Sequence, residues 1–77
     1  MNLLKLKEFT QDYLIYLYQP EGRGDWGEIL YAFDEEKAEI TKRASENSTW
    51  HDNHAIVKVE ECVKKKNLPL ELTNAWY

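Results

Sequence analysis

The residues able to do chemistry are few. His51 and His54 bracket Asp52, and Cys62, the only cysteine, follows. On a helix, histidines at i and i+3 can share a metal ion, with a thiolate as a soft third ligand. From His54 to Cys62, however, the helix rises about 12 Å, too far for one ion, and too far for a histidine to act as the base of a thiol nucleophile. A helix C-terminus also raises a thiol's pKa rather than activating it. The competing reading has polar histidines at a helix start and a small core thiol. Neither an oxyanion-hole loop nor a catalytic triad signature is present.

The remaining motifs have plain readings. The acidic groups Asp34-Glu35-Glu36 and Glu60-Glu61 fall at a helix start and on a polar helical face, where carboxylates are ordinarily solvated. Gly22-Arg23-Gly24-Asp25 contains Arg-Gly-Asp, an adhesion triplet in secreted proteins, but here it reads as a turn. Its glycines match neither the dinucleotide fingerprint nor the phosphate-loop spacing. Lys64, Lys65 and Lys66 suit the negative end of a helix dipole. Together with aromatic rings they would also suit nucleic acid, by stacking plus charge.

Seventy-seven residues make a single domain, 1–77, with a thin core. One cysteine allows no internal disulfide and fits a reducing compartment, so a cytoplasmic location is expected. The N-terminus places Lys5, Lys7 and Glu8 where a signal peptide needs an apolar stretch, and the longest apolar run, Tyr13 to Tyr18, is too short to cross a membrane. The formal net charge is −4, with 14 acidic and 10 basic residues. That balance disfavours non-specific binding to nucleic acid, which depends on neutralising phosphates.

These residues must be positioned by a hairpin. Two runs, Tyr13–Tyr18 and Trp26–Phe33, are rich in aromatic and branched residues and flank a connection carrying Pro20, Gly22 and Gly24. Alternation sorts their side chains. Ile29, Tyr31 and Phe33 share one face of the second strand, and Trp26, Glu28, Leu30 and Ala32 the other. In the first strand Tyr13, Ile15 and Leu17 oppose Leu14, Tyr16 and Tyr18, and neither side is polar. Residues 3–9 are ambiguous: Leu4 and Leu6 alternate with Lys5 and Lys7 as in an edge strand, while Leu6, Phe9, Tyr13 and Leu17 would equally mark a helical stripe. The strand is favoured, because the β-rich Tyr13–Tyr18 run resists absorption into a helix, with Thr10-Gln11-Asp12 as the turn. Residues 35–46 read as a helix capped by Asp34, with a thin apolar side of Ala38, Ile40, Thr41 and Ala44. A second helix is expected from about 51–53 to 66. Its apolar arc is Ala55, Ile56, Val59, Cys62 and Val63, and Thr49 with Asp52 resembles a capping box. The tail alternates Leu68, Leu70 and Leu72 with polar residues, as an edge strand or a docking arm would.

The expected fold is α+β: an antiparallel two- to three-stranded sheet, extended if the tail pairs, with two helices packed on one face. Two helices on one side leave the other side of a two-sided hairpin uncovered. The aromatic set includes Tyr13, Tyr16, Tyr18, Trp26, Tyr31, Trp50, Trp76 and Tyr77, residue types that carry binding energy at interfaces. The function expected is therefore non-catalytic, with no cofactor and no metal: binding to another protein, or to itself as a homodimer, through Leu14, Tyr16, Tyr18, Trp26 and Leu30. Small acidic chains of this kind serve as accessory or inhibitory proteins in bacteria and phages, an argument by analogy alone. The alternatives are a nucleic-acid-binding module using the same rings with Lys64–Lys66, and a metal or thiol site at His51, His54 and Cys62.

Overall fold

The computed structural model describes residues 1–74. Five strands, β1 (Asn2–Phe9), β2 (Tyr13–Pro20), β3 (Gly27–Ala32), β4 (Lys37–Lys42) and β5 (Glu71–Asn74), form one antiparallel sheet, and a single helix, α1 (Thr49–Lys64), packs against it. The sheet order is β4-β3-β2-β1-β5, which puts β2 at the centre. The first four strands follow one another as hairpins, and the tail returns to close the free edge of β1. No helix among the described residues is long and apolar enough to cross a membrane.

The expected architecture is corrected in two respects. Among the described residues the sheet has five strands rather than two or three, and there is one helix rather than two. Residues 35–46 do not form a helix. Glu36 takes a left-handed conformation (φ 53°) and its N–H bonds to Ala32 O at 2.9 Å, which closes a tight turn. The chain then runs back as β4, with Ala38 opposite Tyr31 and Ile40 opposite Ile29. A helix here would have offered only a thin apolar stripe. As a strand, the segment turns Ala38 and Ile40 inward and satisfies the unpaired backbone groups along β3, and that pairing overrides local propensity. Thr41 is an extra residue at a bulge, since the register steps from Ile29↔Ile40 to Glu28↔Lys42.

The expected strand at residues 3–9 is β1. It too contains a bulge, at Lys7, between the pairs Leu6↔Tyr16 and Glu8↔Ile15. The tail joins the sheet as β5, with Leu4 opposite Leu72 and Lys5 opposite Glu71. Leu72 and Leu68 pack on the core, whereas Leu70 is exposed. Trp76 and Tyr77 lie outside the described residues.

Helix α1 buries Asp52, Ala55, Val59 and Cys62, a stripe at helical spacing, and leaves Val57 in solvent, as periodicity requires. The expected capping box is not formed. Ser48 is the N-cap, and its hydroxyl donates to Ser45 O at 2.7 Å instead of capping the helix. At the other end Lys66 N–H bonds to Val63 O and Asn67 N–H to Cys62 O, each at 3.0 Å, with Lys66 left-handed (φ 55°). This is a Schellman motif with lysine at the position glycine usually takes.

Under the helix lie Leu4, Leu14, Tyr16, Tyr18 and Ile29, all without exposure. The Tyr18 ring lies against the backbone of Gly27, its partner across the strands, where any Cβ would collide with it. Two substitutions should therefore act in opposite directions. Lys66→Gly should relieve the left-handed strain and raise stability by about 1 kcal/mol. Gly27→Ala should overpack the Tyr18 site and lower it by about 1–3 kcal/mol. Urea midpoints at constant slope check both.

Candidate functional site

The helix is joined to the sheet by a buried polar cluster. Tyr18 Oη donates to Asp52 Oδ1 and accepts from Ala44 N–H at 3.2 Å. Arg43 Nε donates to Asp52 Oδ2 at 2.9 Å, and Arg43 Nη2 reaches Thr49 Oγ1 at 2.8 Å and Glu46 O at 3.1 Å. Asp52 is only 6% exposed, so both of its oxygens are occupied and shielded from solvent. A carboxylate held this way joins elements rather than serving as an acid or base for an external molecule. Nearby, Asn2 Nδ2 donates to His51 O at 2.8 Å, while Asn2 Oδ1 is enclosed without a partner among the described residues.

Leu14, Tyr16 and Tyr18, expected on an open face, lie on the covered one. The register decides this: Leu14 pairs with Tyr31 and Tyr16 with Ile29, so these residues share the face that meets α1. Tyr16 Oη donates to Pro69 O at 2.7 Å, tying the segment before β5 to the core. Trp26 and Leu30 do lie on the uncovered side, and their neighbours there are Tyr13, Ile15 and Leu17 of β2, which the site expected from sequence omitted. The clue available in the sequence was Gly27, the one β3 position able to accommodate a tyrosine ring across the strands.

The uncovered face has an apolar middle and a charged border. Ile15 opposes Leu30, and Leu17 lies beside Lys5. Leu3, Tyr13, Ile15, Leu17, Trp26, Leu30 and Ala32 are all only half-buried. Around them Lys7 Nζ pairs with Glu28 at 2.7 Å and Lys5 with Glu71 at 3.4 Å. Lys5 Nζ also stands 5.5 Å from the centre of the Trp26 ring, a cation–π contact. Tyr13 Oη donates to Glu8 at 2.8 Å.

The other sequence candidates are not brought together. His51, in the first turn of α1, meets Glu21 Oε1 at 3.0 Å, and the amino group of Met1 meets the same oxygen at 2.9 Å. Cys62 is buried at the far end of the helix, about 16 Å of rise away, and burial pushes its thiol up from the ordinary value. No group of three or more His, Cys, Asp or Glu among the described residues could hold a metal. The Arg-Gly-Asp segment is an exposed turn, fixed by Gln19 Nε2 donating to Gly24 O at 2.7 Å. Lys64–Lys66 end the helix on the covered side of the sheet, so they and the uncovered apolar face do not form one surface. The outer side of α1 carries a smaller exposed stripe of Trp50 and Val57, with His54 tilted against the Trp50 ring. No protein-family profile, curated protein or solved structure matches the chain.

Burial raises the phenols of Tyr16 and Tyr18 to about 12 from an ordinary 10.0, and for Tyr18 the hydrogen bond to Asp52 adds to the effect. A group whose folded-state pKa is raised contributes stability that is full below its unfolded pKa and is lost as pH climbs through the folded value. Tyr18→Phe should cost about 1–3 kcal/mol at neutral pH, because it strips a partner from buried Asp52. That deficit should shrink as pH rises from 10 toward 12. Chemical denaturation of both proteins across this range tests it, and a pH-independent difference would count against the role given to the hydroxyl.

Proposed function

We propose that this chain is a non-catalytic interaction protein that pairs with a second copy of itself through the uncovered face of its sheet. The observation that carries the reading is the character of β2. An antiparallel sheet open to water on one side ordinarily presents polar residues there. The central strand instead presents Tyr13, Ile15 and Leu17, flanked by Leu3, Leu30 and Trp26, all half-buried.

An apolar middle with a polar border is the usual anatomy of a protein interface. A twofold axis through β2 lays the apolar strip of one copy on that of the other and leaves both helices outside, a sheet-on-sheet packing. The charges support a second copy over an anionic polymer. The chain carries a net charge of −4, but on this face Lys5 is already paired with Glu71 and Lys7 with Glu28. Two such faces meet with little repulsion, whereas a nucleic acid would need free cations to neutralise its phosphates.

Sedimentation velocity at micromolar concentration should give the mass of a dimer. Leu17→Lys and Leu30→Lys, both outward-facing, should keep the far-ultraviolet circular dichroism of the parent and sediment as monomers. A parent protein that stays monomeric, or variants that fold and remain dimeric, would refute the proposal.

A further inference from the structure

At the end of the sheet formed by the β1–β2 and β3–β4 turns, two phenylalanine rings reach solvent on the helix side, away from the face proposed for pairing. Phe9 is 56% exposed although it lies opposite Leu14, a core residue. Its ring centre is 5.9 Å from that of Phe33, which in turn meets Tyr31 edge-on with centres 5.6 Å apart. A lone exposed apolar ring is ordinary, but adjoining rings kept out of the core mark a contact surface. The surface is also held in shape. Phe33 N–H bonds to Asp12 O at 3.1 Å, which ties the two turns together. Thr10 Oγ1 accepts from Asp12 N–H at 3.2 Å and from Tyr13 N–H at 3.1 Å, which fixes the first of them.

The charge around the rings indicates what would cover them. The two turns carry Asp12, Asp34, Glu35 and Glu36, all exposed, and none of these forms an ion pair among the described residues. Several of the chain's own bases are engaged elsewhere: Lys5 with Glu71, Lys7 with Glu28 and Arg43 with Asp52. Lys37 follows Glu36, and Lys64 shares a groove with it beside Tyr31, so acids still outnumber bases here. Such an end repels nucleic acid and anionic lipid surfaces. A guanidinium fits it on both counts. It stacks on an aromatic face and donates two parallel hydrogen bonds to a carboxylate, whereas an ammonium is a compact, strongly hydrated charge.

We propose that this end of the sheet is a docking surface for an arginine-bearing segment of another protein. The guanidinium lies over Phe9 and Phe33, and the turn carboxylates receive its donors. Because these rings are on the helix side, this partner and a second copy of the chain occupy different surfaces, and neither site depends on the other.

The test is a titration of the folded protein with the peptide acetyl-Arg-Leu-Arg-Leu-Arg-amide, followed by amide ¹H–¹⁵N spectra, with the lysine and glutamate versions of the same peptide alongside. The arginine peptide should give saturable shifts centred on Phe9, Asp12, Phe33 and Glu35. The lysine peptide should bind severalfold more weakly, and the glutamate peptide should not bind. Phe9→Ala should weaken the arginine peptide severalfold, and Asp34→Asn with Glu35→Gln about tenfold. Asp25→Asn, in the turn at the opposite end of the sheet, should change nothing. Shifts spread equally over Asp25 and Glu46, equal affinity for the lysine peptide, or full affinity in Phe9→Ala would overturn the assignment, as would a DNA oligonucleotide that binds the same residues. Phe9 is exposed, so its truncation spares the core, and the comparison of the three peptides needs no variant at all.

Discussion

The two layers of this molecule are held in register by the Asp52 carboxylate. It comes from the first turns of α1, and its partners come from the central strand (Tyr18) and from the segment that follows β4 (Arg43). Removing a carboxylate from water is costly, and the cost is recovered only when its oxygens are well bonded. Leaving one of those oxygens without its partner ordinarily costs about 1–3 kcal/mol. Because bonding at Asp52 works in one geometry, it fixes where the helix begins and hence the line along which it crosses the sheet. Ala55 and Val59 then join Tyr16, Leu14 and Ile29 in one core, and the end of the helix is left beside the β3–β4 turn.

Much of the sheet could be read from the sequence. The Tyr13–Phe33 hairpin follows from alternation and turn chemistry; the strand at residues 3–9 competes with a helical stripe, and alternation in the tail is shared by a strand and a docking arm, so it does not decide the pairing of β5. Helix α1 follows from its apolar arc. Residues 35–46 misled because Asp34-Glu35-Glu36 looks like a helix start as readily as a turn, and the six residues of β4 alternate too briefly to outweigh a charged segment of helical character. What settled the matter was a long-range demand, the unpaired edge of β3, which no local pattern carries.

The candidate face was half legible, for a related reason. That both sides of the hairpin are apolar is a property of composition and was visible. Which residues share a side across two strands depends on register, and the connection between Tyr18 and Gly27 does not reveal it. Joining Leu14, Tyr16 and Tyr18 to Trp26 and Leu30 put residues from opposite faces together. The Asp52 cluster was missed because each member has an ordinary local role: an acid in a capping box, a strand tyrosine and an arginine near the end of the expected 35–46 helix. Only the fold brings them within bonding distance.

The borders of the sheet have a consequence of their own. A bare strand edge invites further strands to add without limit, and that is how fibrils grow. Here β4 begins and ends with lysine, places Glu39 between them and carries the extra Thr41 at a bulge, while β5 covers four of the described residues and starts with Glu71. Both margins act as gatekeepers against lateral polymerisation, and under the proposed pairing the broad surface is used up once two copies have met, with none left open to a third.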